Sequence, residues 1–557
     1  MNKRICLITL LLTCRAIISN AQTNVSGFIS ANTNWTLIGS PYIVVNNALL
    51  SNGYTLTIDP GVVVKFNDSC ALQIDGELIA IGTAQNRITF TSNKPVPAAG
   101  DWAKVHFADL STDAVFDPIG NYLSGSIMKY CDVLYGGKLG FGEVHIESSS
   151  PYLSYCNILN SGSAGVYSNQ SSHTIDSSSI KNCNGYGLYY WYNSGNCIIN
   201  KDTIANNLNG GIFSGLGFIR VIGNYFTLNT SHGAILIDNG NQNIFIRENY
   251  FANNTSNTGI IQASVGLQRD TICNNIFEYN QSAKGAINCE WSHFSSPRIY
   301  NNCFYQNTSI LNGTTVLTID NIGSYDTTYI FNNNIRNNSG VSGNCFKVRL
   351  QFDNNQLMNI YNNNFIDNTG FSVLNLNQWY TTAGTLNYLC LKRNNFSNPN
   401  SQYELYNNIE YGSQNVFADS NYWGSTNTQH IDSVIYDYFD FANQSVVYYM
   451  PILPSPSAVD TTCAVIIPTS INNIELPSAL VLFPNPAATH LTITFNKNIN
   501  NGVLEMYNIL GAKVLKENIY HVSKKEINLK TISNGIYLVK LFDGERYYCR
   551  KIIVKHN

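Results

Sequence analysis

Charge is scarce in this chain of 557 residues: Asp, Glu, Lys and Arg together supply 12% of it, where an ordinary soluble domain has about 25%. General disorder is nevertheless excluded, because aromatic residues are abundant at 12%. After the opening residues no apolar run approaches the ~20 residues of a membrane helix, so no membrane-spanning segment is expected. Zinc-ligand spacings are missing as well, with no CxxC pair and no HExxH. So is the GxSxG nucleophile elbow, and no DD or DxD pair marks a carboxylate site. These absences rule out motif-borne catalysis; a site assembled from distant residues would leave no such mark.

The net charge of -3 hides an uneven distribution. From Ala479 onward there are 11 Lys/Arg and 5 Asp/Glu, whereas the body carries 18 basic and 30 acidic residues once Lys3, Arg4 and Arg15 are set aside. An acidic body argues against nucleic acid as a partner. Residues 1–21 read as a secretory signal peptide: Lys3 and Arg4, the apolar "ICLITLLLTC", then "SNA" before Gln22. Twelve cysteines remain after Cys6 and Cys14 leave with it. Cys131 and Cys156 hold equivalent places in successive repeats, which suggests stacked, buried thiols, although export permits disulfides.

What the chain does have is a repeat. Asparagine-rich phrases such as "IRENYFANN", "ICNNIFEYN" and "IYNNNFIDN" each enclose one apolar anchor. The anchors are Val133, Ile158, Ile180, Ile204, Phe226, Phe251, Phe277, Phe304, Ile335, Phe365, Phe396 and Trp423, spaced 22 to 31 residues apart. A period in the twenties is a solenoid signal, and alternation within each phrase is strand period rather than helix period. Glycines keep phase with the anchors: Gly165, Gly187, Gly211 and Gly233, then Gly259, Gly285, Gly313 and Gly343. Each precedes a short apolar strand such as "GVYS" or "GIFS" and is expected to supply the backbone angles of a sharp corner. Asparagines at the corners are expected to pair with those of neighbouring coils and to satisfy backbone groups.

These residues, with "YTLTIDPGVVVKF", "LQIDGELIAIGTAQNRITFTSN", "GDWAKVHF" and the closing "SNYWGS", resemble the right-handed parallel β-helix proteins of the pectin-lyase-like superfamily. The resemblance covers Trp35 to about Pro451. It implies an all-β solenoid, with residues 22–125 as an N-terminal cap and first coils and 126–453 as the repeats. It does not by itself imply an activity.

Prolines at 451, 454, 456, 468 and 477 mark a linker over residues 454–478. Beyond it, seven short strand candidates separated by turn signals suggest a small, Ig-like β-sandwich over 479–557. Its pieces "FPNP", "MYNILGAKV", "NGIYLVKL" and "RKIIVK" resemble the C-terminal sorting domain of type IX secretion cargo of Bacteroidetes. The positions that carry this resemblance are Pro484, Asn485, Pro486, Gly511, Gly535 and Tyr537. It implies the type IX machinery as a partner, passage across the outer membrane of a Gram-negative bacterium, and a final place on the cell surface or outside it.

For the solenoid no catalytic residue and no metal ligand stands out. Asp176 and Asp202 fall at different offsets from their anchors, and the arginines do not line up; calcium enters only if the chain is a lyase. The lead is aromatic. Tyr167, Tyr189 and Phe213 follow the corner glycines of three successive coils at the same offset, and Trp191 lies two residues beyond Tyr189. If Val166, Leu188 and Ile212 point inward, these rings stack outward; a reversed register would bury them. At the same offset from their glycines Ile235, Ile261 and Ile287 are expected to continue the row. Flat aromatic rows suit sugar rings. The expectation is a monomeric, non-enzymatic rod that binds polysaccharide or a surface glycan, with a polysaccharide lyase or glycoside hydrolase as the alternative.

Overall fold

The computed structural model describes residues 22–556, apart from 139, 239–243, 264–269, 290–295, 322–326, 341, 351–356, 379–387, 413–414, 460–479, 509–512 and 543–546. The leader, most of the proline-rich linker and Gly511 lie outside the described residues. Two compact units make up the chain, residues 1–470 and 471–557.

The first unit is a parallel β-solenoid of three sheets, in which most strands pair in parallel with the strand one coil on. The anchors form one column of the second sheet, from Val133 through Ile158, Ile180, Ile204 and Phe226 to Phe396. All are buried, and Phe226, Phe251, Phe277 and Phe304 stack at 4.7–4.9 Å between ring centroids. Offset stacks of this kind add to the area that each ring buries. The pairing begins at Thr23–Ile29, which already lies beside Tyr42–Leu50. Near the far end sits one short helix, Thr428–Val434, capped by Asn427, whose side chain accepts a hydrogen bond from Gln429 N.

In "IYNNNFIDNTG" the corner and ladder asparagines have different tasks. Ile360 is buried, and Tyr361 stacks outward on Phe331 at 5.0 Å. Asn362 takes a left-handed φ of 54° to turn the corner, a conformation that Asn tolerates better than most residues. Asn363 is buried behind that corner: its Nδ2 donates to Ile330 O and to Asn394 Oδ1, and its N–H donates to the same Oδ1. Asp367 turns the next corner at φ 55°, and Asn368 repeats the pattern of Asn363. Stacked coil on coil, these side chains make two buried ladders. One runs from Asn224 through Asn249, Asn275, Asn302, Asn333, Asn363 and Asn394 to Asn421. The other runs from Asn207 through Asn229, Asn254, Asn280, Asn307, Asn338 and Asn368 to Asn398. Both satisfy backbone groups that the corners would otherwise orphan inside the coil.

The expectation for the glycines needs correcting. Corner angles come mostly from non-glycine residues such as Tyr155, Asn182 and Asn206. Among the repeat glycines Gly233 (φ +73°) and Gly285 (φ +110°) are left-handed, but Gly165, Gly187 and Gly211 are not. Space is what those three provide: a Cβ on Gly211 would stand 2.4 Å from Ala234 O, and one on Gly165 2.7 Å from Ile180 Cγ2. The cysteines are mostly buried thiols, and the disulfide that export permits also occurs. Among the described residues nine are free, eight of them buried, but Cys303 is disulfide-bonded. Cys131 and Cys156 lie on adjacent rungs as expected, each Sγ donating to a backbone carbonyl of the coil before it (Ala80 O and Met128 O).

The second unit has two antiparallel sheets. Leu480–Phe483, His490–Ile499 and Val522–Asn528 form one; Lys513–Ile519, Gly502–Asn508, Gly535–Phe542 and Tyr547–Val554 form the other. Leu491, Ile493, Leu504, Val539 and Ile552 belong to its shared core. The Pro484–Pro486 segment is tied to the last strand by Ile553 N–H donating to Asn485 Oδ1 at 2.8 Å. Tyr537, two residues into the strand opened by Gly535, is buried and donates its hydroxyl to Ser533 O.

Candidate functional site

On the third sheet, alternation sends Val105, Val144, Val166, Leu188 and Ile212 into the core, all fully buried. Their neighbours His106, His145, Tyr167, Tyr189 and Phe213 therefore share one outward column. The aromatic row exists as expected. Tyr167 and Tyr189 stack at 5.5 Å and 9°, Tyr189 and Phe213 at 4.5 Å and 11°. Trp191 lies parallel to both Tyr189 and Phe213, at 6.2 Å from each. Their exposure differs: Trp191 is 45% exposed and the two tyrosines are half-buried, but Phe213 keeps only 7% and acts as the backing of the shelf. Tyr186 flanks it, with its hydroxyl 3.0 Å from His232 Nδ1.

The row does not continue into Ile235, Ile261 and Ile287. These pair with Ile212 and with one another in the inward column and are fully buried. In these coils the glycine sits two residues ahead of the inward residue, not one, which shifts the count. Leu236, Gln262 and Asn288 are the residues that extend the outward column. Asn288 Nδ2 donates to Gln262 Oε1 at 2.7 Å, so the shelf gives way to an amide ladder.

At the other end of the shelf lies a polar cluster that the sequence reading missed. His106 and His145 stack at 4.4 Å, and Glu147 follows His145 two residues on, on the same face. Lys104 Nζ is 2.5 Å from His145 Nδ1 and 4.6 Å from the centroid of Phe141. Phe141 covers His145 in a stack at 4.9 Å, and Tyr167 meets that imidazole edge-on at 4.9 Å. Burial holds the His145 imidazole down to about 2, helped by the nearby Lys104 and His106, and lowers His106 for the same leading reason. Burial also lowers Lys104, against the opposing pull of Glu147, and raises the phenols of Tyr167 and Tyr189. At neutral pH the rings of this face are thus uncharged. A faint signal was available: "KVHF" and "EVHI" repeat the same V-H-apolar rung. They lie 39 residues apart, because the excursion carrying the hairpin of Val115–Phe116 and Tyr122–Ser124 intervenes, and so fall outside the period.

Chemically, the face offers flat apolar rings followed at one end by Leu236 and the buried amides of Gln262 and Asn288, and bordered at the other by imidazole, ammonium and carboxylate groups. Asp202, weighed as a stray acid, is instead fully buried on the first asparagine ladder, where its N–H donates to Asn224 Oδ1.

The three stacked sheets define a right-handed parallel β-helix repeat protein. Residues 164–322 match the family model of the right handed beta helix region, and residues 481–555 match that of the secretion system C-terminal sorting domain. The chain thus carries a right-handed β-helix region and a C-terminal sorting domain, which marks it as a type IX secreted or cell-surface protein and implies the secretion machinery as a partner of the tail. No curated protein matches it. Among solved structures it is similar to the periplasmic alginate epimerase AlgG, with TM-score 0.24, 11% identity, and 76% of this chain and 82% of that one covered. It is also similar to the family 28 exopolygalacturonase of Yersinia enterocolitica, with TM-score 0.16, 11% identity, and 62% and 73% covered. Likeness of this degree carries no argument about chemistry. No helix among the described residues is long and apolar enough to cross a membrane.

Proposed function

We propose that the β-helix is a glycan-binding rod and that the Tyr167–Tyr189–Trp191 shelf is its contact surface, backed by Phe213. The observation that supports this most is the parallel stack of Tyr189 and Trp191 on a rigid sheet, with Trp191 45% exposed. Sugar rings present apolar faces to such a surface and hydroxyls to its polar borders. A rigid shelf also loses little conformational entropy on binding. The cluster of Lys104, His145 and Glu147 beside the shelf favours a second reading, a polysaccharide lyase or hydrolase with the shelf as its substrate platform.

One experiment separates the two. The exported chain is incubated with a panel of polysaccharides, with and without calcium, and the same samples are scored for retention and for new chain ends. Retention without cleavage, weakened in Trp191→Ala and Tyr189→Ala, supports binding. New reducing or unsaturated ends, lost in Lys104→Met or His145→Gln, would replace it with catalysis.

A further inference from the structure

Apart from the shelf, one group of side chains has a geometry that glycan contact does not explain. We propose that His106, His145 and Glu147 form a binding site for a single divalent transition-metal ion of the zinc class. Each offers one ligand atom, and the three atoms lie within 4.8 Å of one another. His106 Nε2 stands 3.4 Å from Glu147 Oε2, and His145 Nε2 stands 3.9 Å from the same oxygen. Tetrahedral zinc with ligands at about 2.0–2.1 Å sets them roughly 3.3–3.4 Å apart, so closing the site takes side-chain shifts of about 1 Å or less. The scaffold is already fixed: His106 and His145 are in-register partners of neighbouring strands, and Glu147 shares a strand with His145.

A further observation points to a ligand. His106 Nε2 is buried and makes no well-aligned hydrogen bond, although the Glu147 carboxylate stands 3.4 Å away, an arrangement that a bound ion would satisfy better. Two imidazole nitrogens and one carboxylate oxygen suit zinc, whereas calcium takes six to eight oxygens. Three protein ligands leave a coordination position open, and the Glu147 side chain is 47% exposed, so an ion here could be reached from solvent. Lys104 is the cation packed against the group, on His145 Nδ1, and opposes a bound cation. Asp75, one coil earlier and held by Gln73, favours one.

The test is a zinc titration by calorimetry on the chelator-treated exported chain without glycan, with cobalt(II) absorption as an optical probe of the ligand set. The wild type is expected to take up one zinc through this site. Glu147→Gln and the double variant His106→Ala/Glu147→Gln should each bind at least ten-fold more weakly, and Lys104→Gln as tightly or more tightly. Trp191→Ala should titrate like the wild type, which separates this site from the glycan shelf. Circular dichroism checks each fold; if the double variant is unfolded, Glu147→Gln alone decides, because its side chain is half-exposed. A wild type that binds zinc no more tightly than Glu147→Gln overturns the proposal.

Discussion

Glu404 closes the second asparagine ladder, and its carboxyl is pulled two ways. Asn398 donates to it twice, from N–H and from Nδ2, both at 2.7 Å, which favours the ion. Burial outweighs both and pushes its pKa up to about 7 from an ordinary 4.5. Between those values the folded chain holds a proton that the unfolded chain gives up, so stability falls as pH rises through this window and levels off above it. The loss is about 3 kcal/mol at most. Asp202 and Glu143, both raised by burial, act in the same direction. Glu404→Gln should therefore flatten part of the decline in urea midpoint between pH 4.5 and 7; an unchanged slope would mean that Glu404 is ionised in the fold. On the shelf the expected effects are smaller. Aromatic stacking is worth about 0.5–1.5 kcal/mol, so Trp191→Ala should weaken glycan retention roughly two- to ten-fold, read as a shift in affinity electrophoresis.

At the scale of the coil, the ladders decide how costly an asparagine is to lose. Asn302 donates to Ile272 O and accepts from Asn275 N–H, both buried. Asn302→Ala orphans that carbonyl and that N–H, at about 1–3 kcal/mol each. Asn157 sits half-buried on the outer face and reaches only the Asp132 carboxylate, so Asn157→Ala should cost about 0.5 kcal/mol or less. Urea unfolding of the two variants checks the contrast, and equal losses would contradict the ladder account. This division of labour also explains what could be read from the sequence. Anchors such as Phe277 were legible because inward and outward residues alternate and the corners hold a near-constant length. Ladder and corner asparagines share a composition, so the pairing was foreseeable, but Asn362 could not be told from Asn363 without a backbone. The inward place of Ile235 was misread because an added residue, Ala234, separates it from Gly233, a one-residue shift that reverses a strand face. His106 and His145 were missed because the excursion between them hides a vertical neighbour as a distant residue.

At the scale of the chain, the two units have separate cores: one runs from Trp35 to Val447, the other from Ala487 to Val554. Within the solenoid, most contacts join each coil to its neighbours, so its stability is approximately a sum of local terms. The sorting tail has its own antiparallel sheets and its own buried residues, Tyr537 among them. A chain ending at Ser470 should therefore fold to the same solenoid, with an unchanged thermal transition for that unit, yet fail to leave the periplasm. The reverse graft, residues 471–557 behind a passive exported carrier, should send the carrier out. Fractionation of cells expressing each chain measures both. If the truncated solenoid still reached the medium, sorting information would have to lie in the β-helix; if its thermal transition fell, the units would be coupled. Separate cores argue against both outcomes, because a tail that carries the address need contribute nothing to the fold of what it delivers.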